Sequence, residues 1–248
     1  MWKRKFGVAV FGFCLVLSSC ALKKSLPPKT EAEAKESGYY FRQGVNLLNH
    51  GDYAAAAEEF GKAIALDPKS ARSHNLRGIA FFQLKNYKDA EENFQKAVAL
   101  DPSYVEANNN LGSLYFARRQ YDKAKEMFLK TLSLSPNSVP ALYSLGTLLM
   151  IQGKNDEGMS YLGRGIALDP EFLESHKAVV LRVSSSGPES PDIYFAYAKA
   201  YAARGDIDKT VEFLEKTEAA GFHDWKRITT EKEFEAVREN PKIKAFIR

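Results

Sequence analysis

The side chains best suited to metal binding or nucleophilic chemistry are few and are spread along the chain. The sequence has four histidines and two cysteines, and no histidine has a second ligand at the spacing of a zinc site. It also lacks a glycine-rich phosphate loop and a Gly-x-Ser-x-Gly nucleophile elbow. We therefore predict no catalytic residue, no metal and no cofactor. The histidines are His50, His74, His176 and His223.

Charged side chains are plentiful, but they do not form the pattern of a catalytic or nucleic-acid site. Glu58-Glu59 and Glu91-Glu92 fall on the solvent-facing side of predicted helices, so an acid–base pair is not indicated there. The formal net charge is +4, and no basic stripe with interleaved aromatic residues occurs. We therefore expect no nucleic-acid partner.

Glycine and proline recur at a constant step of 34 residues. Such a self-similarity is typical of stacked helical hairpins, which usually bind partners rather than catalyse. The recurring residues are Gly44, Gly78, Gly112 and Gly146, and Pro68, Pro102, Pro136 and Pro170.

Each unit predicts two helices with a short break between them. In the first unit the second helix carries Ala56, Phe60 and Ala63 at helical spacing. It ends at Ala65–Pro68, because proline disfavours helical geometry in the residue before it. The glycine at the eighth position and the small residue at the twentieth indicate where two helices touch. The predicted units are 37–70, 71–104, 105–138 and 139–172.

This pattern resembles the tetratricopeptide repeat. The shared features are the small eighth position, aromatic eleventh, alanine twentieth, phenylalanine twenty-fourth and proline thirty-second. The resemblance implies an all-α fold, a right-handed solenoid of antiparallel helix pairs closed by a divergent C-terminal helical cap. The fourth unit departs from the pattern at Gly158 and Gly165, which we expect to loosen its second helix.

The resemblance also implies a binding surface, because the first helices of tetratricopeptide proteins line a concave groove. Apolar groove residues suit an apolar or amphipathic segment of a partner protein, and Asn75 and Asn109 could hydrogen-bond its backbone. The lysines of the family's carboxylate clamp are missing. The alternative is that several groove residues simply pack between neighbouring first helices. The residues assigned to the groove are Phe41, Val45, Arg72, Asn75, Ile79, Phe82, Glu106, Asn109, Phe116, Tyr143 and Met150.

The N-terminus has the features of a secretory signal. A basic start, Trp2–Lys5, precedes the uncharged run Phe6–Leu17, which is too short to span a bilayer. Leu17-Ser18-Ser19-Cys20 resembles a bacterial lipobox, in which the cysteine after the cleavage site receives lipid. We predict a signal peptide at 1–19 and lipidation of Cys20. The alternative is an ordinary signal peptide with a chance cysteine.

The repeats are flanked by two further segments. Residues 20–36 contain lysines, glutamates and two prolines without an apolar face, and they predict a flexible tether. After Phe172 the period breaks, and residues 173–248 predict a divergent fifth repeat followed by a helical cap. The helices expected there are Glu171–Val183, Asp192–Arg204, Ile207–Ala220, Glu231–Glu239 and Lys242–Ile247.

These features lead to the hypothesis of a lipid-anchored, non-enzymatic adaptor in the bacterial cell envelope. The resemblance to lipoproteins implies the outer membrane, facing the periplasm, because in didermic bacteria such proteins usually go there unless aspartate follows the cysteine, and here Ala21 follows Cys20. The layout is similar to pilotin lipoproteins of type IV pilus secretins and to repeat lipoproteins that recruit cell-wall hydrolases. A secretin or a cell-wall enzyme is therefore an expected partner. The alternative is an enzyme or small-ligand receptor built on the C-terminal aromatic residues Tyr194, Phe195, Tyr197, Tyr201, Phe213, Phe222 and Trp225.

Overall fold

The computed structural model describes residues 30–169, 172 and 191–247. Over these residues the chain is helical and contains no strand. The helices pair as antiparallel hairpins that stack into a right-handed solenoid, as the repeat pattern predicts. The hairpins of the first four units are α1 Glu31–His50 with α2 Tyr53–Leu66, α3 Ala71–Gln83 with α4 Tyr87–Leu100, α5 Val105–Ala117 with α6 Tyr121–Leu134, and α7 Val139–Ile151 with α8 Asn155–Leu168.

A left-handed turn marks the break inside each described hairpin, and in the first, second and fifth a polar side chain also caps the helix that follows. Asp52 caps α2 by accepting a hydrogen bond from the Ala55 backbone N–H at 3.3 Å. Just before this cap the chain turns through a left-handed residue, Gly51, with φ of 82°. Lys85 and Arg119 take the same conformation at the equivalent position of the next two units, with φ of 60° and 58°.

Close contact between the two helices of a hairpin explains the recurring glycine. A Cβ atom on Gly112 would lie 2.7 Å from a ring atom of Phe128, and one on Gly78 would lie 2.7 Å from the ring of Phe94. The eighth position must therefore be glycine for the twenty-fourth to be phenylalanine. Ala124, at the twentieth position, has no exposed surface.

The fourth unit is not loosened by its two extra glycines, which corrects the expectation from the sequence. Helix α8 is continuous through both of them. A Cβ on Gly158 would lie 2.8 Å from the carbonyl oxygen of Gly146, and one on Gly165 would lie 3.0 Å from the ring of Tyr143. The glycines allow close approach of α7, so tight packing offsets their low helix propensity.

The first helix begins earlier than the predicted boundary between tether and repeats. Helix α1 starts at Glu31, so the part of the predicted tether from Glu31 to Glu36 is helical. Thr30 and Glu33 form a capping box, in which each side chain binds the other residue's backbone N–H. The predicted signal peptide and Cys20 lie outside the described residues.

The C-terminal region contains a fifth hairpin with the geometry of the first four. Helices α9, Pro191–Ala202, and α10, Ile207–Ala219, meet at Gly205, which has φ of 75°. Ala198 and Leu214 take the eighth and twenty-fourth positions of a repeat and have no exposed surface. The predicted helix Glu171–Val183 lies outside the described residues, apart from Phe172.

The chain ends in short turns of helix that cover the fifth hairpin. These are α11, Arg227–Thr230, the 3-10 turn Lys232–Phe234, and α12, Pro241–Lys244. The predicted helix Glu231–Glu239 is wrong beyond that 3-10 turn, because Phe234 and Val237 are anchored in the core through successive tight turns. Ile243 and Phe246 are also buried, so this segment covers the end of the solenoid.

An aromatic cluster joins the fourth unit to the fifth. The ring of Tyr143 stacks on Phe172, with ring centroids 5.1 Å apart. Its other neighbour is Tyr197, whose hydroxyl lies 3.0 Å from Thr147 Oγ1. Burial raises the pKa of Tyr197 to about 12, as expected for a phenol inside an apolar core.

Candidate functional site

The first helices of units one to three line an open groove. Its cavity has a volume of about 1120 Å³ and is bordered by α1, α3 and α5, by the turns that precede the first helices, and at one end by Pro140 of α7 and Phe172. A cavity of this size is large enough to hold several residues of a peptide. Six of the residues assigned to the groove from the sequence line it: Val45, Arg72, Asn75, Ile79, Glu106 and Asn109.

The end of the groove formed by α1 and α3 is largely apolar. Val45, Leu48 and Ile79 line it and are half-buried. Arg72 also lines this end, and its guanidinium carbon lies 4.9 Å from the ring centroid of Phe41. Phe41 thus supports Arg72 by a cation–π contact and does not itself line the cavity.

An asparagine network connects α3 to α5. Asn110 Nδ2 donates a hydrogen bond to Asn75 Oδ1 at 3.0 Å, and the Asn75 amide also hydrogen-bonds the Tyr104 hydroxyl. Burial raises the pKa of Tyr104, with a further contribution from the negative charge of Glu106. Asn75 is only 2% exposed. It is therefore a brace between repeats, which corrects the expectation that it contacts a partner.

Asn109 differs from Asn75 although it takes the same position in its repeat. Its side chain lines the groove and is 9% exposed. Its buried Oδ1 accepts no hydrogen bond from the described residues. Glu106 lies one helical turn earlier on α5, is exposed, and makes no ion pair within the described part of the chain. The α5 end of the groove thus presents the exposed carboxylate of Glu106, whereas the unpaired Asn109 oxygen is shielded from solvent.

Besides Phe41, four residues assigned to the groove from the sequence do not line it. Phe82 and Phe116 pack against the first residue of the second helix in their own hairpins, Tyr87 and Tyr121, with ring centroids 5.7 Å apart in each pair. Met150 is buried at the contact with the fifth hairpin.

Tyr143 is the clearest correction, because it has no exposed surface. The fifth hairpin covers much of the fourth unit, so the groove reaches that unit only at Pro140, at the start of α7, and at Phe172. The assignments of Phe82, Phe116, Tyr143 and Met150 follow repeat positions, which do not show where neighbouring elements cover a first helix.

The sequence reasoning also missed residues that line the groove. Ser70, Tyr104 and Ser138 border it, and each is the last residue of its unit and the N-cap of the next first helix. The 34-residue alignment could have identified them, because all three take the last position of a repeat. The position of Asn110 was not available, since its link to Asn75 depends on how the repeats stack.

A second, smaller cavity of about 370 Å³ lies between α8, α9 and α11. Four of the five charged residues that line it take part in ion pairs: Asp192, Lys199, Arg227 and Glu231. Lys199 pairs with Glu231, and Arg227 Nε donates to Glu231 Oε1 at 2.6 Å. Arg227 also lies over the ring of Phe195, 4.5 Å from its centroid. The cavity is therefore built around an internal ion-pair network.

Most of the C-terminal aromatic residues that suggested a ligand pocket instead form the core. They stack on one another, with 4.6 Å between the ring centroids of Phe195 and Phe222 and 5.4 Å between those of Tyr201 and Phe213. Phe195 alone among the seven borders the smaller cavity. The buried members are Phe195, Tyr197, Tyr201, Phe213, Phe222 and Trp225.

Metal binding and membrane insertion would each require a feature that can be sought in the described residues. Within the ranges 30–169 and 191–247, no three histidine, cysteine or acidic side chains are grouped to hold a metal ion. None of the helices in the same ranges combines the length and the apolar character needed to cross a membrane.

Comparisons with known proteins agree with this architecture. Three family models described as tetratricopeptide repeats match residues 41–105, 81–149 and 139–172. No curated protein matches the chain. Among solved structures, pilF of Pseudomonas aeruginosa is 18% identical with a TM-score of 0.57, and the likeness covers 87% of this chain and 90% of that one.

Two other solved structures are similar over different lengths. MamA is 20% identical with a TM-score of 0.53, over 80% of this chain and 97% of that one. The first repeat domain of Spaghetti (RPAP3), bound to an HSP90 peptide, is 27% identical with a TM-score of 0.47, over 48% of this chain and 94% of that one. The matching family models overlap to span residues 41–172, and pilF and MamA share the fold beyond them. This chain is a member of the tetratricopeptide-repeat family.

Proposed function

We propose that this protein is a lipid-anchored, non-enzymatic adaptor of the bacterial cell envelope. Its groove would bind a segment of a partner protein, with a secretin or a cell-wall enzyme as candidate partners. The observation that carries the proposal is the open groove of about 1120 Å³ along α1, α3 and α5. Tetratricopeptide-repeat families are typically interaction modules rather than enzymes.

The surface chemistry of the groove suits a peptide. Its apolar end offers Val45, Leu48 and Ile79 to a hydrophobic side chain. Its α5 end offers the exposed carboxylate of Glu106, which can accept a hydrogen bond from a partner. The Asn75–Asn110 bond already fixes the two helices, so binding costs little ordering of the groove.

The anchor rests on the sequence alone. The basic start, the uncharged run Phe6–Leu17 and Cys20 in a lipobox-like context support export and acylation. Several acyl chains on one cysteine would hold the protein firmly at a membrane, since each buried methylene adds about 0.8 kcal/mol.

Site-specific photo-crosslinking in membranes tests the adaptor function. A photoreactive residue at Ile79 should crosslink a protein partner, whereas the same residue at Glu92, exposed on second helix α4, should not. Val45→Glu combined with a crosslinker at Ile79 should abolish the product, because a charge in the apolar end opposes burial of the partner. Equal crosslinking from Ile79 and Glu92, or a product that survives Val45→Glu, would contradict binding in the groove.

A further inference from the structure

The turns inside the second and third hairpins hold basic residues in an unfavourable backbone conformation. Lys85 and Arg119 have φ of 60° and 58°, whereas the turns of the first, fourth and fifth hairpins have glycine in the left-handed conformation. This conformation is strained for any residue that has a Cβ atom, and both basic side chains are exposed. Strain that persists where glycine would serve points to a function for the side chain itself.

Basic charge is in excess around these two turns. Residues 84–88 and 118–123 contain five basic side chains and one acidic side chain, Asp122. Stacked hairpins place their turns side by side, so these residues lie on one edge of the solenoid, although they are 34 positions apart in the sequence. All five basic side chains are exposed: Lys85, Lys88, Arg118, Arg119 and Lys123.

The nearest acidic side chains beyond these turns already have partners. Asp89 accepts a hydrogen bond from Asn86 Nδ2 at 2.6 Å. Glu91 pairs with Arg118, which joins α4 to α5. The other four basic residues therefore determine the charge that the edge presents to an approaching surface.

Large apolar side chains are exposed beside this charge. Leu84 directly precedes Lys85 and is 45% exposed, and Ile151, beside the turn of the fourth hairpin, is 37% exposed. We call residues 84–88 and 118–123, together with Ile151, the turn edge. Exposed leucine and isoleucine flanked by lysine and arginine suit the interface of an anionic bilayer, where apolar groups enter the acyl boundary and cations contact the headgroups.

The reach of the chain allows the turn edge and the expected lipid anchor to meet the same membrane. Helix α1 has 20 residues and is therefore about 30 Å long. Its C-terminal end lies at the edge that contains the hairpin turns, and its start at Glu31 lies at the opposite edge. The chain from Cys20 to Glu31 spans at most about 40 Å, which is enough to run back along α1.

We infer that the turn edge is a second membrane contact, which holds the solenoid against an anionic lipid surface. Leu84 and Ile151 enter the interfacial layer, and the basic side chains bind phosphate groups of the lipids. This contact goes beyond the proposed adaptor function, because it does not involve the groove. A single anchor at Cys20 leaves the orientation of the repeats open, whereas a second contact fixes which edge of the solenoid faces the membrane.

Lipid photo-crosslinking tests the inference on the full acylated chain, reconstituted into vesicles of phosphatidylglycerol or of phosphatidylcholine. A photoreactive residue at Leu84 should crosslink lipid in the phosphatidylglycerol vesicles, and high salt should reduce this product by screening the charges. The matched control is Leu168, which is 48% exposed and lies at the opposite edge, at the end of α8. It should give little lipid product.

Charge variants test the role of the basic residues. Lys85→Glu should lower the Leu84 product at least about fivefold, since each lysine near an anionic surface contributes about this factor to binding. Lys69→Glu makes the same charge change at an exposed lysine in the turn between α2 and α3, on the opposite edge, and should leave the product unchanged. Lys85→Gly should lower the product without lowering the melting temperature, because glycine adopts the left-handed conformation without strain.

The outcomes separate this contact from the anchor and from the groove. Equal lipid products from Leu84 and Leu168, equal products in both kinds of vesicle, or a product that Lys85→Glu leaves unchanged would overturn the inference. In each case the anchor at Cys20 and the binding at Ile79 would still stand on their own tests. A Leu84 product that contains protein instead of lipid, formed in cells, would assign the turn edge to an acidic partner and overturn the inference. Failure of the chain to associate with either vesicle would count against both the turn edge and the anchor.

Discussion

Asn75 and Asn109 occupy the same position in successive repeats, yet the hydrogen bonding of their side-chain amides differs. Asn75 accepts a hydrogen bond from Asn110 of the next unit and is closed to a partner. Asn109 has a buried oxygen without a donor. The difference arises because Asn110 on α5 donates its amide to Asn75 on α3 and not to the adjacent Asn109. Substitution of Asn75 should therefore disturb the groove's framework, whereas substitution of Asn109 removes no hydrogen bond to its oxygen.

Gly112→Ala tests the packing at the eighth position. The added methyl group would lie 2.7 Å from the Phe128 ring and 3.2 Å from Met127 Cβ, so we expect the free energy of unfolding to fall. The expected loss is about 1–3 kcal/mol, measured by chemical denaturation. The matched control is Gly163→Ala in α8, where a Cβ meets nothing within 4 Å. It should gain about 0.5–1 kcal/mol from helix propensity. Equal effects would contradict the packing argument.

His74 should make the second repeat sensitive to acid. Burial lowers its pKa from the ordinary value of 6.5, and its ring nitrogens face Asn93 Oδ1 and the Pro68 carbonyl. The nearby cations Lys96 and Arg77 lower it further. The neutral imidazole is favoured in the folded state, so the contribution of His74 to stability is complete above pH 6.5 and is lost as pH falls below this value toward the lowered folded-state pKa.

The measurement is the melting temperature of the wild type and His74→Gln from about pH 7.5 to about pH 5.5. The wild type should lose more stability than the variant over this range, because only the wild type gains a proton on unfolding there. Parallel pH profiles would show that His74 does not contribute.

At the scale of elements, the fifth hairpin is held by a buried polar contact inside an aromatic core. The Tyr197 hydroxyl bonds Thr147 Oγ1 on α7, and both side chains are 5% exposed. Tyr197→Phe should lower the free energy of unfolding by about 1 kcal/mol, because it leaves the threonine hydroxyl without this partner. The control is Tyr39→Phe, since the Tyr39 side chain is 52% exposed. Denaturation curves that coincide for Tyr197→Phe and the wild type would contradict this role.

The sequence predicts the elements of the repeats well, and their contacts less well. The contact between Gly78 and Phe94 can be predicted from the 34-residue spacing alone, because the same two positions meet in each of the first three repeats. The burial of Tyr143 could not be predicted in this way, since it depends on how the fifth hairpin covers the fourth unit. In the sequence, the start of α1 at Glu31 is indicated only by the capping-box residues Thr30 and Glu33, which are a weak local signal.

At the scale of the whole molecule, the two ends of the solenoid differ. The fifth hairpin and the terminal turns bury the C-terminal end, whereas the groove opens along the first three units. A fully extended chain spans at most ~3.6 Å per residue, so Glu31 can lie no further than about 40 Å from Cys20. If Cys20 is acylated, the groove remains close to the membrane surface. This geometry favours a partner that is itself bound to, or embedded in, the same membrane.

Cys20→Ser tests the anchor and its link to partner binding. The hydroxyl cannot replace the thiol in the expected acylation, so we expect the variant to leave the membrane fraction or to remain unprocessed. Mass spectrometry of the wild-type N-terminal peptide should show an acylated Cys20 as its first residue. Crosslinking at Ile79 in cells should fall, since the variant no longer shares a membrane with its partner. An unmodified Cys20 in the wild type, or full membrane association of the variant, would contradict the lipid anchor while leaving the groove's binding function open to its own test.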